Sequence, residues 1–262
     1  MSDAIALGLC SVTFRALSPA AIIALAGEAG IAGIEWGADK HVPPGDLRRA
    51  SEIAALCRDG GVAVASYGSY IEAGKEGQDF PAVLDSAAAL GAPNIRVWAG
   101  QRGIGSAVAS PAQRSAAAEA LRMMASRAAA VGIALSLEFH PNTLTDTAAS
   151  ASALIAAVAH ANLYSYWQPC PGIALPEALD ELAVLGDDLL HLHVFAWTAK
   201  RERLALAEQA ALWRPVLERS RALPRRAKLP RYVMLEFVAD DDPAAFRRDA
   251  AILAAWLEET AR

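Results

Sequence analysis

Short apolar runs alternate with longer amphipathic or alanine-rich runs along the whole chain. The short runs have the length and composition of buried strands, and they lie at 5–14, 33–37, 62–70, 94–100, 133–140, 162–169, 189–197 and 231–238. The runs between them carry helix signals, such as Ser18-Pro19 at a helix start and Gly60-Gly61 at a helix end. They predict helices over 19–30, 46–60, 80–91, 111–132, 148–160, 175–185, 208–221 and 241–262.

Eight strand–helix units predict a closed (β/α)8 barrel. Strands that alternate with helices pair in parallel through right-handed crossovers, and eight such units fill about 250 residues. No linker or low-complexity segment divides the 262 residues, so we expect one domain over 1–262. The alternative, an open doubly wound sheet, usually carries a GxGxxG fingerprint after its first strand. The sequence SVTFRALSP stands there instead.

Composition narrows the classes of partner. The net charge is −5, which disfavours a nucleic-acid or anionic-membrane surface, because such surfaces depend on clustered Lys and Arg. Three cysteines without CxxC spacing are typical of reduced thiols in a cytoplasmic protein. We expect no signal peptide in MSDAIALGLCSVTF and no membrane span in the apolar runs.

The candidate chemistry lies at the carboxyl ends of the predicted strands, where the active sites of (β/α)8 barrels are found. The stretch IALSLEFHPN ends predicted strand five with Glu138 and His140, which share a face because they are two residues apart. Predicted strands six, seven and eight end similarly with Gln168, His193 and Glu236.

Glu138, Gln168, His193 and Glu236 are candidate ligands of one divalent metal ion. They come from four consecutive strands, so they surround one quadrant of the barrel mouth. A mainly oxygen donor set suits Mn²⁺, Mg²⁺ or Co²⁺ and is also compatible with Zn²⁺. Two enclosed glutamates would repel each other, and a divalent cation removes that repulsion.

Other polar groups near the same rim are candidates for substrate contact. His41 follows predicted strand two, Trp98 lies on strand four, and His140 lies two residues beyond Glu138. Arg203 follows strand seven and could clamp a phosphate or carboxylate group with its planar fork. Arg15 and Arg96 are further candidates, whereas His191 lies deeper and favours a hydrogen bond inside the barrel.

Motifs along nearly the whole chain resemble the sugar phosphate isomerase/epimerase group of xylose isomerase-like TIM barrels. They are TFR (13–15), GIEWGADKHVPPGD (33–46), SYGSY (66–70), IRVWAG (95–100), LEFHPNTLTDT (137–147), YWQP (166–169), HLHVFAW (191–197) and LEF (235–237). The resemblance implies one divalent metal held by Glu, Asp, His and Glu from strands five to eight. Glu138, His193 and Glu236 match that pattern, whereas Gln168 replaces the Asp. An amide oxygen is uncharged, so we expect weaker metal binding.

The resemblance implies proton transfer next to a carbonyl, with Glu138 and Glu236 on opposite sides of the reacting carbon of a small carbohydrate. Return of the proton to the opposite face gives an epimerase, and return to the adjacent carbon gives an isomerase. The same carboxylates could expel a β-hydroxyl, as an inosose-type dehydratase does. A non-catalytic sugar-binding barrel is a further alternative. An apurinic-site endonuclease is the least favoured, because five histidines and a net charge of −5 fit it poorly. Alanine-rich outer helices permit a homo-oligomer.

Overall fold

The computed structural model describes residues 5–260, and its strands form a closed parallel barrel in chain order. The barrel closes where the first strand pairs with the last, from Ile5 opposite Arg231 to Leu9 opposite Leu235. The strands of the described residues are β1 (Ile5–Cys10), β2 (Gly33–Gly37), β3 (Ala63–Ala73), β4 (Asn94–Ala99), β5 (Ala134–Leu137), β6 (Leu163–Trp167), β7 (Leu189–Val194) and β8 (Arg231–Leu235). The predicted (β/α)8 fold is confirmed.

A helix follows each strand and packs on the outside of the barrel. Polar side chains cap most of these helices; Ser18, for example, accepts a hydrogen bond from the Ala21 N–H at the start of the first helix. The helices are α1 (Pro19–Glu28), α2 (Leu47–Asp59), α3 (Phe80–Leu90), α4 (Pro111–Ala130), α5 (Ala148–Val158), α6 (Leu175–Leu185), α7 (Ala210–Ala222) and α8 (Pro243–Glu259). An apolar core fills the space between strands and helices.

Several predicted strands and helices were too long. The run 5–14 is β1 followed by a 3₁₀ turn over Ser11–Phe14. The run 133–140 is a strand only over Ala134–Leu137, and the chain beyond it turns at Asn142, whose φ is 59°. The predicted last helix, 241–262, starts at Pro243 because the Asp242 side chain caps it, and it ends at Glu259. Residues 1–4 and 261–262 of the predicted domain lie outside the described residues.

A polar network fills the middle of the barrel interior, below the carboxyl ends of the strands. The Asn94 amide donates to the Tyr166 hydroxyl at 3.1 Å and to Ser66 Oγ at 3.0 Å, and Ser136 donates to Asn94 Oδ1 at 2.7 Å. All four side chains are fully buried, and each finds a partner, as buried polar groups must. This network lies directly below the polar layer at the barrel mouth.

Gly68 in β3 leaves room for that polar layer. A Cβ atom at this position would lie 2.6 Å from Arg96 Nη2 and 2.9 Å from Glu35 Oε1. Both distances are shorter than real Cβ contacts allow, and both groups are held by other bonds. A glycine is therefore required for the guanidinium and the carboxylate to meet beside β3.

Gly68→Ala is expected to destabilise the protein by about 1–3 kcal/mol, because overpacking a filled interior forces its neighbours to shift. The free energy of unfolding would be measured by urea denaturation. Gly27→Ala in α1 is the matched control. Apart from its chain neighbours and the backbone of its own helix, no atom of the described residues lies within 4 Å of a Cβ there, so we expect a gain of about 0.5–1 kcal/mol from helix propensity. Equal effects at the two positions would contradict the packing argument.

Candidate active site

The carboxyl ends of the strands bring a layer of charged and polar side chains together inside the barrel mouth. Each is less than 10% exposed, although the charged ones among them are residue types that are almost always solvated. They come from β2 and β4 and from the ends of β5, β6, β7 and β8: Glu35, Arg96, Glu138, Gln168, His193 and Glu236. Such a layer costs desolvation free energy unless every charge has a partner.

Arg96 is the cation of this layer and is shared by two carboxylates. Its Nε donates to Glu35 Oε1 at 2.9 Å, and its Nη1 donates to Glu138 Oε2. Burial by itself would lower the pKa of Arg96, but Glu35 first, and then Tyr70, Glu236 and Tyr166, together outweigh burial and raise the pKa. The guanidinium therefore stays charged and joins β2 to the end of β5 across β3 and β4.

Glu35 lies at the centre of these contacts. Its Oε2 accepts a hydrogen bond from the Tyr166 hydroxyl at 2.8 Å, while its Oε1 faces both Arg96 and His193. Burial raises the pKa of Glu35, but the Arg96 guanidinium, the neighbouring His193 and the hydrogen bond from Tyr166 together outweigh burial and hold the pKa well below its usual range. Glu35 is thus an ionised carboxylate in the barrel interior.

His193 lies between Glu35 on one side and two oxygen ligands on the other. Its Nε2 is 3.4 Å from Glu35 Oε1 and has no hydrogen-bond partner within residues 5–260. Its Nδ1 is 2.9 Å from Gln168 Oε1 and 3.6 Å from Glu236 Oε2. Because the Gln168 Oε1 oxygen only accepts, Nδ1 carries a proton in this hydrogen bond, and a cation among these atoms would take the place of that proton.

The donor atoms of Gln168, His193 and Glu236 fit a divalent cation. Gln168 Oε1 and Glu236 Oε2 both lie near His193 Nδ1. Either a proton on Nδ1 or a cation among the three atoms can hold them together. A ligating histidine usually donates its other N–H to a carboxylate, and Glu35 stands at that place. Glu138, the fourth predicted ligand, is instead paired with Arg96 in this structure.

A cavity of about 280 Å³ opens above the polar layer. Glu138, Gln168 and Glu236 form part of its floor. Its walls are largely aromatic and cationic, with Trp98, Phe195, Trp197, Phe237, Arg15, Arg102 and Arg201 among the lining residues. A concave pocket with aromatic walls and a few convergent polar groups is the usual form of a small-molecule site.

Sequence comparison identifies the family. The model of the xylose isomerase-like TIM barrel family matches residues 23–218. The chain belongs to this family. The resemblance that the sequence motifs indicated is therefore confirmed at the family level. Comparison with curated protein sequences finds no match.

Solved structures of the xylose isomerase-like fold superpose on nearly the whole chain at low sequence identity. The probable 3-DHS dehydratase AsbF from Bacillus anthracis is 21% identical, with a TM-score of 0.79 over 95% of this chain and 99% of that one. A D-psicose 3-epimerase, solved in the presence of D-fructose, is 17% identical, with a TM-score of 0.77 over 96% and 98%. A xylose isomerase-like protein from Mycobacterium smegmatis, in complex with magnesium, is 17% identical, with a TM-score of 0.69 over 98% and 97%. These similarities establish the fold.

Two of the predicted substrate-contacting residues of this xylose isomerase-like barrel, Trp98 and His140, line the cavity. Their rings lie 4.6 Å apart, and His140 Nδ1 is 2.8 Å from the Pro141 carbonyl. Because a carbonyl only accepts, Nδ1 carries the proton, and Nε2 keeps a lone pair. Burial is the main cause that lowers the pKa of His140, and the cations of Arg102, Arg96 and Arg201 lower it further, so the ring is neutral near pH 7.

The other two, His41 and Arg203, do not line this cavity. His41 is buried, with its Nδ1 3.0 Å from Ser11 Oγ. Arg203 donates to Asp241 at 2.5 Å and to the Val238 carbonyl at 3.2 Å. Arg201, two residues earlier, lines the cavity instead. A substrate role for His41 and Arg203 stays a prediction.

His191 lies deeper in the barrel, as predicted. Its Nδ1 accepts a hydrogen bond from the Tyr232 N–H at 3.1 Å, and burial lowers its pKa to about 3. The ring is therefore neutral and structural.

Sequence reasoning missed Glu35, Tyr166 and Cys10, which all face the polar layer. Glu35 had a detectable signal, because a carboxylate inside the apolar run GIEWG must have a buried partner. Tyr166 had none, since tyrosine is common in buried strands. Cys10 had none either, because its neighbour across the barrel closure, Glu236, is far away in the sequence.

Glu35→Gln is expected to reduce stability most at neutral pH. The folded-state pKa of Glu35 lies below the unfolded value of about 4.3, so its stabilisation is complete above roughly pH 5 and is lost as the pH falls. The difference in unfolding free energy between wild type and variant should shrink by roughly 1–2 kcal/mol from pH 6 to pH 3, measured with a chelator present.

Glu28→Gln is the control for this measurement. It removes an ion pair with Arg247 in which both side chains are about half exposed, and such pairs contribute little. A difference between wild type and Glu35→Gln that does not change with pH would contradict the ionised state of Glu35.

Proposed function

We propose that this barrel is a sugar-modifying enzyme, an isomerase or epimerase that moves a proton next to the carbonyl of a small carbohydrate. The observation that carries the proposal is that Glu138 and Glu236 both line one cavity at the barrel mouth. They follow β5 and β8, three strands apart round the barrel, so they approach a ligand from different sides. Two carboxylates in that arrangement suit removal of a proton by one and its return by the other.

Arg96 would hold Glu138 in its working orientation. The guanidinium binds Glu138 Oε2 and is itself held by Glu35, so the carboxylate cannot rotate freely. A fixed acid–base group loses less entropy when the substrate binds, which is the advantage of preorganisation. The product is an epimer when Glu236 delivers a proton to the opposite face of the same carbon. The product is an isomer when Glu236 delivers a proton to the neighbouring carbon.

The walls of the cavity would orient the sugar. The neutral His140 can accept a hydrogen bond from a substrate hydroxyl through Nε2, and Trp98 offers a flat apolar face to the C–H side of a sugar ring. Arg102, whose guanidinium lies 4.0 Å from the centre of the Trp98 ring, supports that face by a cation–π contact.

One divalent metal ion is part of the proposal, with Mn²⁺, Mg²⁺ or Co²⁺ favoured by the oxygen ligands and Zn²⁺ also compatible. Gln168, His193 and Glu236 would hold it, and Glu138 would join them only if it left Arg96. When bound, the ion would supply Lewis-acid stabilisation of negative charge at the carbonyl oxygen. The magnesium complex of the Mycobacterium smegmatis barrel supports a metal in this fold.

Dehydration is the second candidate activity. The fold is shared with the probable 3-DHS dehydratase AsbF, and the same two carboxylates could remove a proton and protonate a departing β-hydroxyl. This reaction differs from isomerisation in its products, since water is lost and a carbon–carbon double bond is formed.

No helix in residues 5–260 is long and apolar enough to cross a bilayer.

Deuterium uptake tests the proposed proton transfer. The purified protein would be incubated in heavy water with Mn²⁺ and a panel of ketohexoses, their phosphates and inosose, and NMR would detect deuterium next to the carbonyl. We expect uptake with at least one substrate. Glu236→Gln should slow it by about 10²–10⁴-fold, the range that general acid–base groups supply.

Glu28→Gln, whose carboxylate lies in an exposed ion pair, is the matched control and should leave uptake unchanged. Appearance of a vinylic proton signal without isomer formation would favour the dehydratase. Binding of a sugar with no uptake in the whole panel would refute the proton-transfer proposal and favour the sugar-binding barrel.

A further inference from the structure

The last residue of β1, Cys10, brings a thiol to the polar layer. Leu9 of β1 pairs with Leu235 of β8, so Cys10 is level with Glu236 across the closure of the barrel. The Cys10 side chain packs inside the barrel among Tyr166, Tyr232 and Met234, and it is 1% exposed. It therefore lies at the floor of the site and away from solvent.

Cys10, His193 and Glu236 form a compact group. One ligand atom of each lies within 4.8 Å of the others, and all three residues are buried. That limit is about twice a metal–ligand bond of roughly 2.0–2.3 Å, so small side-chain movements would let the three share one ion. Gln168 Oε1, 2.9 Å from His193 Nδ1, adds a fourth donor.

A second observation concerns His193, which is fully buried. Its Nδ1 is 2.9 Å from Gln168 Oε1 and 3.6 Å from Glu236 Oε2, so a cation among these atoms would replace the proton on Nδ1. Its other nitrogen, Nε2, has no hydrogen-bond partner in the part of the chain that the structure describes and lies 3.4 Å from Glu35 Oε1. A buried histidine whose second nitrogen faces a carboxylate is the usual environment of a metal ligand.

The pairing of Glu138 leaves room for another donor at the ion. Glu138 is bound to Arg96, so Glu236 is the one anionic donor among Gln168, His193 and Glu236. On binding an ion, Cys10 would add a second anionic donor in direct contact with it.

The geometry points to Cys10 as a metal ligand, together with His193, Glu236 and Gln168, in a site that prefers Zn²⁺ or Co²⁺ to Mg²⁺. This inference rests on the proposed metal site and names its fourth donor. One sulfur, one nitrogen and two oxygens suit a borderline-soft ion in four-coordinate geometry, whereas Mg²⁺ demands six oxygens. On binding, the S–H bond breaks, a sulfur–metal bond forms, and the proton leaves to solvent.

Cobalt spectroscopy tests this directly, without any assay of activity. Chelator-treated, reduced protein would be titrated with Co²⁺ under nitrogen. We expect saturation near one equivalent, visible d–d bands of four-coordinate cobalt, and a thiolate-to-cobalt charge-transfer band in the near ultraviolet. Cys10→Ser should lose the charge-transfer band and bind Zn²⁺ at least about tenfold more weakly.

Cys170→Ser is the matched control, because Cys170 is an exposed thiol beyond the end of β6. It should keep the charge-transfer band and the wild-type affinity for Zn²⁺. Zinc calorimetry in two buffers of different ionisation enthalpy should show about one more proton released by wild type than by Cys10→Ser. Thermal unfolding of the metal-free variants shows whether each still folds.

Three results would overturn the inference: cobalt d–d bands without a sulfur band, a sulfur band that survives Cys10→Ser, or no binding of Co²⁺ and Zn²⁺ by folded protein. Deuterium uptake by a protein that lacks the sulfur band would leave the proposed function standing and remove Cys10 from the site. A sulfur band with no deuterium uptake on any substrate would keep Cys10 in the metal site and refute the proposed function.

Discussion

A single guanidinium, shared by two buried carboxylates, organises the interior of this barrel. Arg96 binds Glu35 from β2 and Glu138 from the end of β5, and Gly68 leaves the space in which they meet. Burying three charges is tolerable only because each has a partner. Glu35, fixed in this way, faces the Nε2 of His193 and so influences which nitrogen of that ring is free for a ligand.

The pairing divides the mouth of the barrel into two functional sides. On one side Glu138 is paired with Arg96 and faces the cavity as an oriented acid–base group. On the other side Gln168, His193 and Glu236 converge with Cys10 below them. The proposed reaction uses both sides, because a substrate carbonyl held on the second presents its neighbouring carbon to the first.

The strand order and the closed barrel could be predicted from the sequence, because alternation of apolar runs and helices specifies a parallel sheet. Which side chains face inward within each strand was harder to predict, since strands buried on both faces read as continuous apolar runs. The four candidate metal ligands were predicted from their place at strand ends, and their role stays a prediction. Their partners, Glu35 and Cys10, depend on contacts across the barrel that connect residues far apart in sequence, and no local pattern carries that information.

The most direct test of the central claim, that Arg96 binds Glu138 and leaves the metal to the opposite side, is anomalous X-ray diffraction from crystals soaked in Zn²⁺. The account predicts one buried anomalous peak within bonding distance of His193 and Glu236, with the Arg96–Glu138 pair intact. A peak bonded to Glu138, with Arg96 turned away from it, would contradict the account.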